Sequence, residues 1–111
     1  MNRFVSRYWL AALAIFAAVS SSSLAQDKTP LKIVIPYAAG GTTDYIGRLL
    51  QKPLADILGQ PVIAENRPGA AGTIGTEYVA RAAPDGNTIV FGNQGPNAIV
   101  PAVRKTGYDP F

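Results

Sequence analysis

Leu31-Lys32-Ile33-Val34-Ile35-Pro36-Tyr37-Ala38-Ala39-Gly40-Gly41-Thr42-Thr43-Asp44 decides the fold. The first five residues form a short apolar run rich in β-branched side chains and stopped by Pro36, the pattern of a buried strand. Tyr37 to Thr43 is a loop of small residues. Beyond it Ile46, Leu49, Leu50, Leu54, Ile57 and Leu58 recur at helical spacing and predict an inner face, with Arg48, Gln51, Lys52 and Asp56 on the other side. Gly59 suits the position just past a helix end, and Pro61 blocks continuation. Pro53 lies inside the pattern and predicts a kink or a split.

The same alternation continues outward. Val62-Ile63-Ala64-Glu65 reads as a second strand and Asn66-Arg67-Pro68-Gly69 as a turn. Thr73 to Ala83 reads as a second helix with Ile74, Tyr78, Val79 and Ala82 facing inward. Pro84-Asp85-Gly86-Asn87 is a turn cluster before a third strand, Thr88-Ile89-Val90-Phe91. Gly92 to Asn97 is a polar loop, and Ala98 to Val103 opens a third helix interrupted by Pro101. This spacing predicts an α/β fold, a βαβαβ unit with a parallel sheet and right-handed crossovers. Both helices are expected on one side, leaving strand edges and one sheet face uncovered. That exposure, and the aromatic Phe111 at the end, point to a truncated piece of a longer protein.

The composition narrows the chemistry. Of 111 residues, 48% are hydrophobic and 15% charged, which excludes disorder as the default state. The chain has no Cys and no His, so it offers no disulfide, thiolate nucleophile, imidazole base or His-ligated zinc site. Ser-His-Asp or Cys-His catalysis would need residues from elsewhere.

The first residues belong to export. Arg3 and Arg7 precede an apolar run from Tyr8 to Val19, then a serine cluster and Ser23-Leu24-Ala25. This predicts a signal peptide, residues 1–25, cut between Ala25 and Gln26. The run is shorter than the ~20 residues of a spanning helix. Gln26 rather than Cys follows the cut, so no lipid anchor is expected. Residues 26–111 then carry 8 Lys and Arg against 7 Asp and Glu. Such a balance gives no electrostatic footprint for nucleic acid.

Three loops follow the three strands. In open α/β sheets ligands dock at the carboxyl ends of the strands. In the first loop, Gly40 and Gly41 permit close backbone approach, and the amides of a helix start suit an anion. Thr42 and Thr43 add hydroxyls. The loop reads equally as a plain βα turn with a Thr cap, Asp44 being favoured there by the helix dipole. The second loop, Gly69-Ala70-Ala71-Gly72-Thr73-Ile74-Gly75, matches neither a dinucleotide fingerprint nor a Walker A loop. Gly75 reads as a close-packing glycine. The third loop, Gly92-Asn93-Gln94-Gly95-Pro96-Asn97, offers donors from the same edge or is a surface turn. Arg67, the one cation at the strand ends, reads as a ligand partner or a solvated turn residue.

The ordered series of Leu31 to Asp44, Leu58-Gly59-Gln60-Pro61-Val62, Glu65 to Ala70, Gly72-Thr73-Ile74-Gly75, Ala83-Pro84-Asp85-Gly86 and Tyr108-Asp109-Pro110 resembles the Bug family, the TctC-like receptors of tripartite tricarboxylate transporters. The resemblance spans Pro30 to the last residue. It implies a periplasmic solute-binding protein of the type II binding-protein architecture, in which two lobes close on a small carboxylate and pass it to a membrane permease. Residues 26–111 would be the incomplete N-terminal part of the first lobe. The ligand-contacting role carries over onto Tyr37, Ala38, Ala39, Gly40, Gly41, Thr42, Thr43 and Asp44. The amides of Gly40 to Thr43 are expected to receive one carboxylate, and Asp44 to cap nearby amides or to bind an ammonium or a bridging water where the ligand carries one. Asn93, Gly95 and Asn97 complete the expected set. There the sequence departs from the family, which often has Thr-His where Pro96-Asn97 stands, and Asn where Val100 precedes Pro101. No cofactor or metal is implied. The competing readings are a secreted α/β enzyme with a phosphate or nucleotide site at its Gly loops, and a periplasmic domain that binds a partner protein.

Overall fold

The computed structural model describes residues 28–110, and the expected leader and its cleavage point lie outside them. Three parallel strands form one sheet in the order β2-β1-β3: β1 Leu31–Ile35, β2 Val62–Asn66 and β3 Thr88–Val90. Leu31 pairs with Val62 and Ile35 with Asn66 on one side, and Lys32 pairs with Thr88 on the other. As the central strand, β1 is the core: Ile33, Val34 and Ile35 are at most 1% exposed. The edge strands stay half open, with Ile63 and Ile89 exposed.

The first predicted helix is two helices, α1 Thr42–Leu49 and α2 Gln51–Leu58. The break at Leu50 follows from Pro53, whose ring clashes with the carbonyl four residues earlier, at Leu49, and which has no N–H to give it. Gly59 closes α2 in the left-handed conformation at φ +61°.

The inner face of this pair differs from the predicted stripe. Ile46, Leu49, Leu50, Ile57 and Leu58 are exposed, and Leu54 is half-buried. The buried residues of α1 are Asp44 and Gly47. Gly47 lies so near the sheet that a Cβ there would stand 2.8 Å from Ile35 Cδ1. Asp44, Arg48 and Gln51 then find partners at β2: Gln51 Nε2 donates to the Val62 carbonyl at 3.1 Å. The polar side of the helix therefore docks, and among the described residues nothing covers the apolar side.

α3, Thr73–Ala80, follows a 3₁₀ turn at Ala70–Gly72. It is shorter than predicted, and its buried residues are Thr73, Gly75 and Thr76, whereas Ile74 is exposed. Gly75 again sets the approach. A Cβ there would meet the Arg67 carbonyl oxygen at 2.8 Å and Pro36 Cβ at 2.9 Å.

The two crossover helices sit on opposite faces, not on one side. Ile35 packs on α1, whereas Lys32 Nζ donates to the Tyr78 hydroxyl of α3 at 3.2 Å. Residues three apart in a strand point to opposite faces. The strand order explains this: the chain steps one way from β1 to β2 and back across β1 to β3, so crossovers of one hand alternate faces. After β3, Gly95–Ile99 forms a wide turn with the Val100 amide bonded to the Gly95 carbonyl, and α4, Val100–Val103, completes the segment. The part of the polar loop from Gly95 on is thus helical. Pro101, which has no N–H for a regular helical bond to Asn97, is accommodated by that widening.

Candidate functional site

The strand order reverses between β1 and β3, and in such sheets the crevice outside the carboxyl ends at that point is where ligands bind. The loop after β1 supplies one wall. Gly40, at φ +86°, turns its N–H onto Asp44 Oδ2 at 2.9 Å. Gly41 precedes α1 in extended conformation (φ −82°, ψ 170°), and no side chain caps the helix. The amides of the first turn, at Thr42 and Thr43, have no intrahelical acceptor, and with the helix dipole they favour an anion. The expected amide set loses Gly40, whose N–H serves Asp44.

Asp44 is 5% exposed yet charged. The Gly40 N–H, then the Asn66 amide, then the Arg48 guanidinium lower its pKa to about 2. Asn66 Nδ2 reaches Asp44 Oδ1 at 2.8 Å and Arg48 Nε reaches the same oxygen at 2.9 Å. Arg48 Nη2 in turn donates to Asn66 Oδ1 at 2.7 Å. Both carboxylate oxygens are thus engaged within the loop and its supports.

The second wall is the segment after β3. The Tyr37 hydroxyl donates to Asn93 Oδ1 at 2.5 Å, and the Gly95 N–H donates to the same oxygen at 3.0 Å. The loop after β2 closes in beneath. A Cβ on Gly72 would lie 3.1 Å from the Tyr37 hydroxyl and 3.1 Å from Pro96 Cγ. Gly69 to Gly72 all have positive φ, including Ala70 at 47° and Ala71 at 56°, a left-handed run that strains the two alanines.

The structure therefore brings Tyr37, Asn93 and Gly95 into one cluster and Gly40 with Asp44 into another. Ala38, Ala39 and Thr42 are exposed on the same loop, and Thr43 is half-buried. Asn97 lies against Gly92, where a Cβ would meet its Nδ2 at 3.0 Å. Arg67, expected as a ligand partner or a solvated turn residue, is paired within the fold. Its Nε donates to Glu65 Oε1 at 2.6 Å, and its guanidinium stacks 3.6 Å from the centre of the Tyr78 ring. Lys32 completes this group at 2.9 Å from Glu65 Oε2. Sequence reading missed Asn66 and Arg48 as supports of the loop. The four-residue spacing of Asp44 and Arg48 was the available signal. Among the described residues no three His, Cys, Asp or Glu side chains gather to hold a metal, and no helix is long and apolar enough to cross a membrane.

Residues 46–111, more than half of the chain, match the family model described as tripartite tricarboxylate transporter family receptor. BugT of Bordetella pertussis is 40% identical over 83 residues, which are 75% of this chain and 25% of BugT. Among solved structures, MatC of Rhodopseudomonas palustris with bound malate is 46% identical with a TM-score of 0.53, covering 55% of this chain and 21% of MatC. An R. palustris protein solved with adipate is 36% identical with a TM-score of 0.66, covering 75% and 28%. The chain spans between 23% and 35% of the length of the curated relatives it matches.

Proposed function

We propose, from the premise that this chain belongs to the tripartite tricarboxylate transporter receptor family, that it is the ligand-cradling first part of a periplasmic receptor for a small carboxylate. In this reading residues 1–25 are a signal peptide removed on export, and residues 26–111 begin the first of two lobes. A second lobe closes over the crevice, and the loaded receptor delivers its cargo to membrane permease subunits. Relatives solved with malate and with adipate support a dicarboxylate as the cargo class. In this reading the protein is a receptor rather than an enzyme.

One observation carries the reading: the start of α1 opens on the crevice with no side-chain cap, while both oxygens of the neighbouring Asp44 are already engaged. Helix-start amides attract a carboxylate without a buried countercharge, and an uncharged cradle releases cargo more readily than an ion pair that is costly to desolvate. Tyr37, Ala38, Ala39, Gly41, Thr42 and Thr43 line that side, with Asn93, Gly95 and Asn97 opposite. Gly40 and Asp44 shape the loop.

Calorimetric titration of the full-length receptor with malate, adipate, citrate and inorganic phosphate tests this. Saturable binding of a carboxylate supports it. Binding of phosphate in preference to every carboxylate sinks it in favour of a phosphate site at the glycine loops.

A further inference from the structure

We propose that Asn66 is the positioning residue of the carboxylate-binding loop, holding residues 37–44 in their receiving shape before any ligand arrives; this rests on the receptor reading above. Asn66 is the last residue of β2. Its Nδ2 donates to the Tyr37 carbonyl at 3.1 Å and to Asp44 Oδ1 at 2.8 Å, and its Oδ1 accepts from Arg48 Nη2 at 2.7 Å. The chemistry fixes the amide orientation. A carbonyl and a carboxylate can only accept, and a guanidinium can only donate.

The bonds inside the loop are local: Gly40 to Asp44 and Tyr45 to the Gly41 carbonyl each span four residues. Such bonds shape a turn but do not fix it against the sheet. Asn66 does, because it joins the loop's first residue and the helix's buried acid to a strand neighbouring the core. Arg48 braces Asn66 from the outer side at 45% exposure. Neither side chain needs to touch the ligand, so the role is positioning.

The test is the full-length receptor with Asn66→Ala, titrated with malate and followed by amide hydrogen exchange. The expected result is malate binding about tenfold weaker, from loss of hydrogen bonds to a charged group. The Gly40 and Tyr45 amides, bonded to Asp44 and to the Gly41 carbonyl, should exchange faster while those of Ile33 and Val34 are unchanged. Unaltered affinity, or a loss accompanied by faster exchange throughout β1, overturns the proposal, since the latter marks general destabilisation. If Asn66→Ala does not fold, Arg48→Met decides: severalfold weaker malate binding with faster Gly40 exchange supports positioning, and unchanged values overturn it. A wild-type receptor that binds no carboxylate refutes the receptor reading instead, and the exchange pattern still reports on Asn66.

Discussion

The Tyr37 hydroxyl donates to Asn93 Oδ1 at 2.5 Å, latching the loop after the central strand to the loop after its neighbour. The bond spans the point where the strand order reverses, so it sets the width of the crevice mouth. Asn93 Oδ1 keeps the Gly95 N–H when the hydroxyl is removed, and Tyr37→Phe therefore leaves no orphan acceptor. The expected loss of stability is about 0.5–1.5 kcal/mol, that of one ordinary hydrogen bond. Carboxylate affinity in the full-length receptor should fall by about threefold to tenfold, measured by calorimetry. Equal affinity in the variant shows that the crevice does not depend on the latch.

Gly75 and Gly47 give a matched pair for stability. Alanine at a helix interior is ordinarily favoured over glycine by about 0.5–1 kcal/mol. At Gly75 a Cβ meets backbone, the Arg67 carbonyl oxygen at 2.8 Å and Pro36 Cα at 3.0 Å, which cannot yield without moving β1 away from α3. At Gly47 the close atom is the tip of a side chain, Ile35 Cδ1. Gly75→Ala should therefore destabilise by about 1–3 kcal/mol, as overpacking does, and Gly47→Ala by clearly less. Denaturant midpoints of the two variants rank them, and the opposite ranking would show that the backbone at Pro36 gives way.

Acid should unfold the protein through Asp44. Its carboxyl lies at about 2 in the folded state against an ordinary 3.8. As pH falls through this window the unfolded chain binds the proton first, so stability falls with it, and above 3.8 the contribution is fully present. Glu65, lowered chiefly by its bond to Lys32, adds in the same direction. Asp44→Asn removes the titrating group and places an amide among three donors. Its denaturant midpoint should be lower at neutral pH and should decline less steeply from pH 3.8 downward than the wild type. Parallel curves for the two proteins would remove Asp44 from the acid transition.

Strand positions and turn chemistry were legible because they are written locally. Leu31 to Ile35 is a strand to the residue, Gly59 ends its helix, and Asn87 N–H bonds to Asp85 in the predicted turn. Helix orientation was not legible, since periodicity identifies an apolar face but not what lies opposite it. On α1 the side facing the sheet is Asp44 and Gly47, because a glycine allowed close approach and a polar partner waited at Asn66. The faces taken by α1 and α3 depend on strand order, which a two-crossover sequence leaves open between 1-2-3 and 2-1-3. The glycine loops of the candidate site were visible at once, as was the cap by Asp44. Asn66 was not, because its partners lie 18 to 29 residues away in the chain, and Arg48 offered only its four-residue spacing from Asp44.

The cradle itself is tested at Gly41. Its backbone is extended, and a Cβ there meets only the Ala38 carbonyl oxygen at 3.6 Å, ordinary contact. A Cβ at Gly41 is thus free of strain, and Gly41→Val is expected to fold while adding bulk beside the first-turn amides where a carboxylate is to dock. Lost hydrogen bonds should weaken binding by at least about 1 kcal/mol, roughly fivefold. Gly40 makes a poorer probe, because its φ of +86° would confound blocked access with backbone strain. Arg67→Ala is the control at the same sheet edge. Its guanidinium is committed to Glu65 and to the Tyr78 ring, so its removal should cost some stability and leave carboxylate affinity within about twofold. Calorimetry on both variants of the full-length receptor separates two ways of holding an anion. A large loss at Arg67 with none at Gly41 would mean that the guanidinium leaves Glu65 to pair with the ligand, and that a side-chain ion pair rather than a backbone cradle receives the carboxylate.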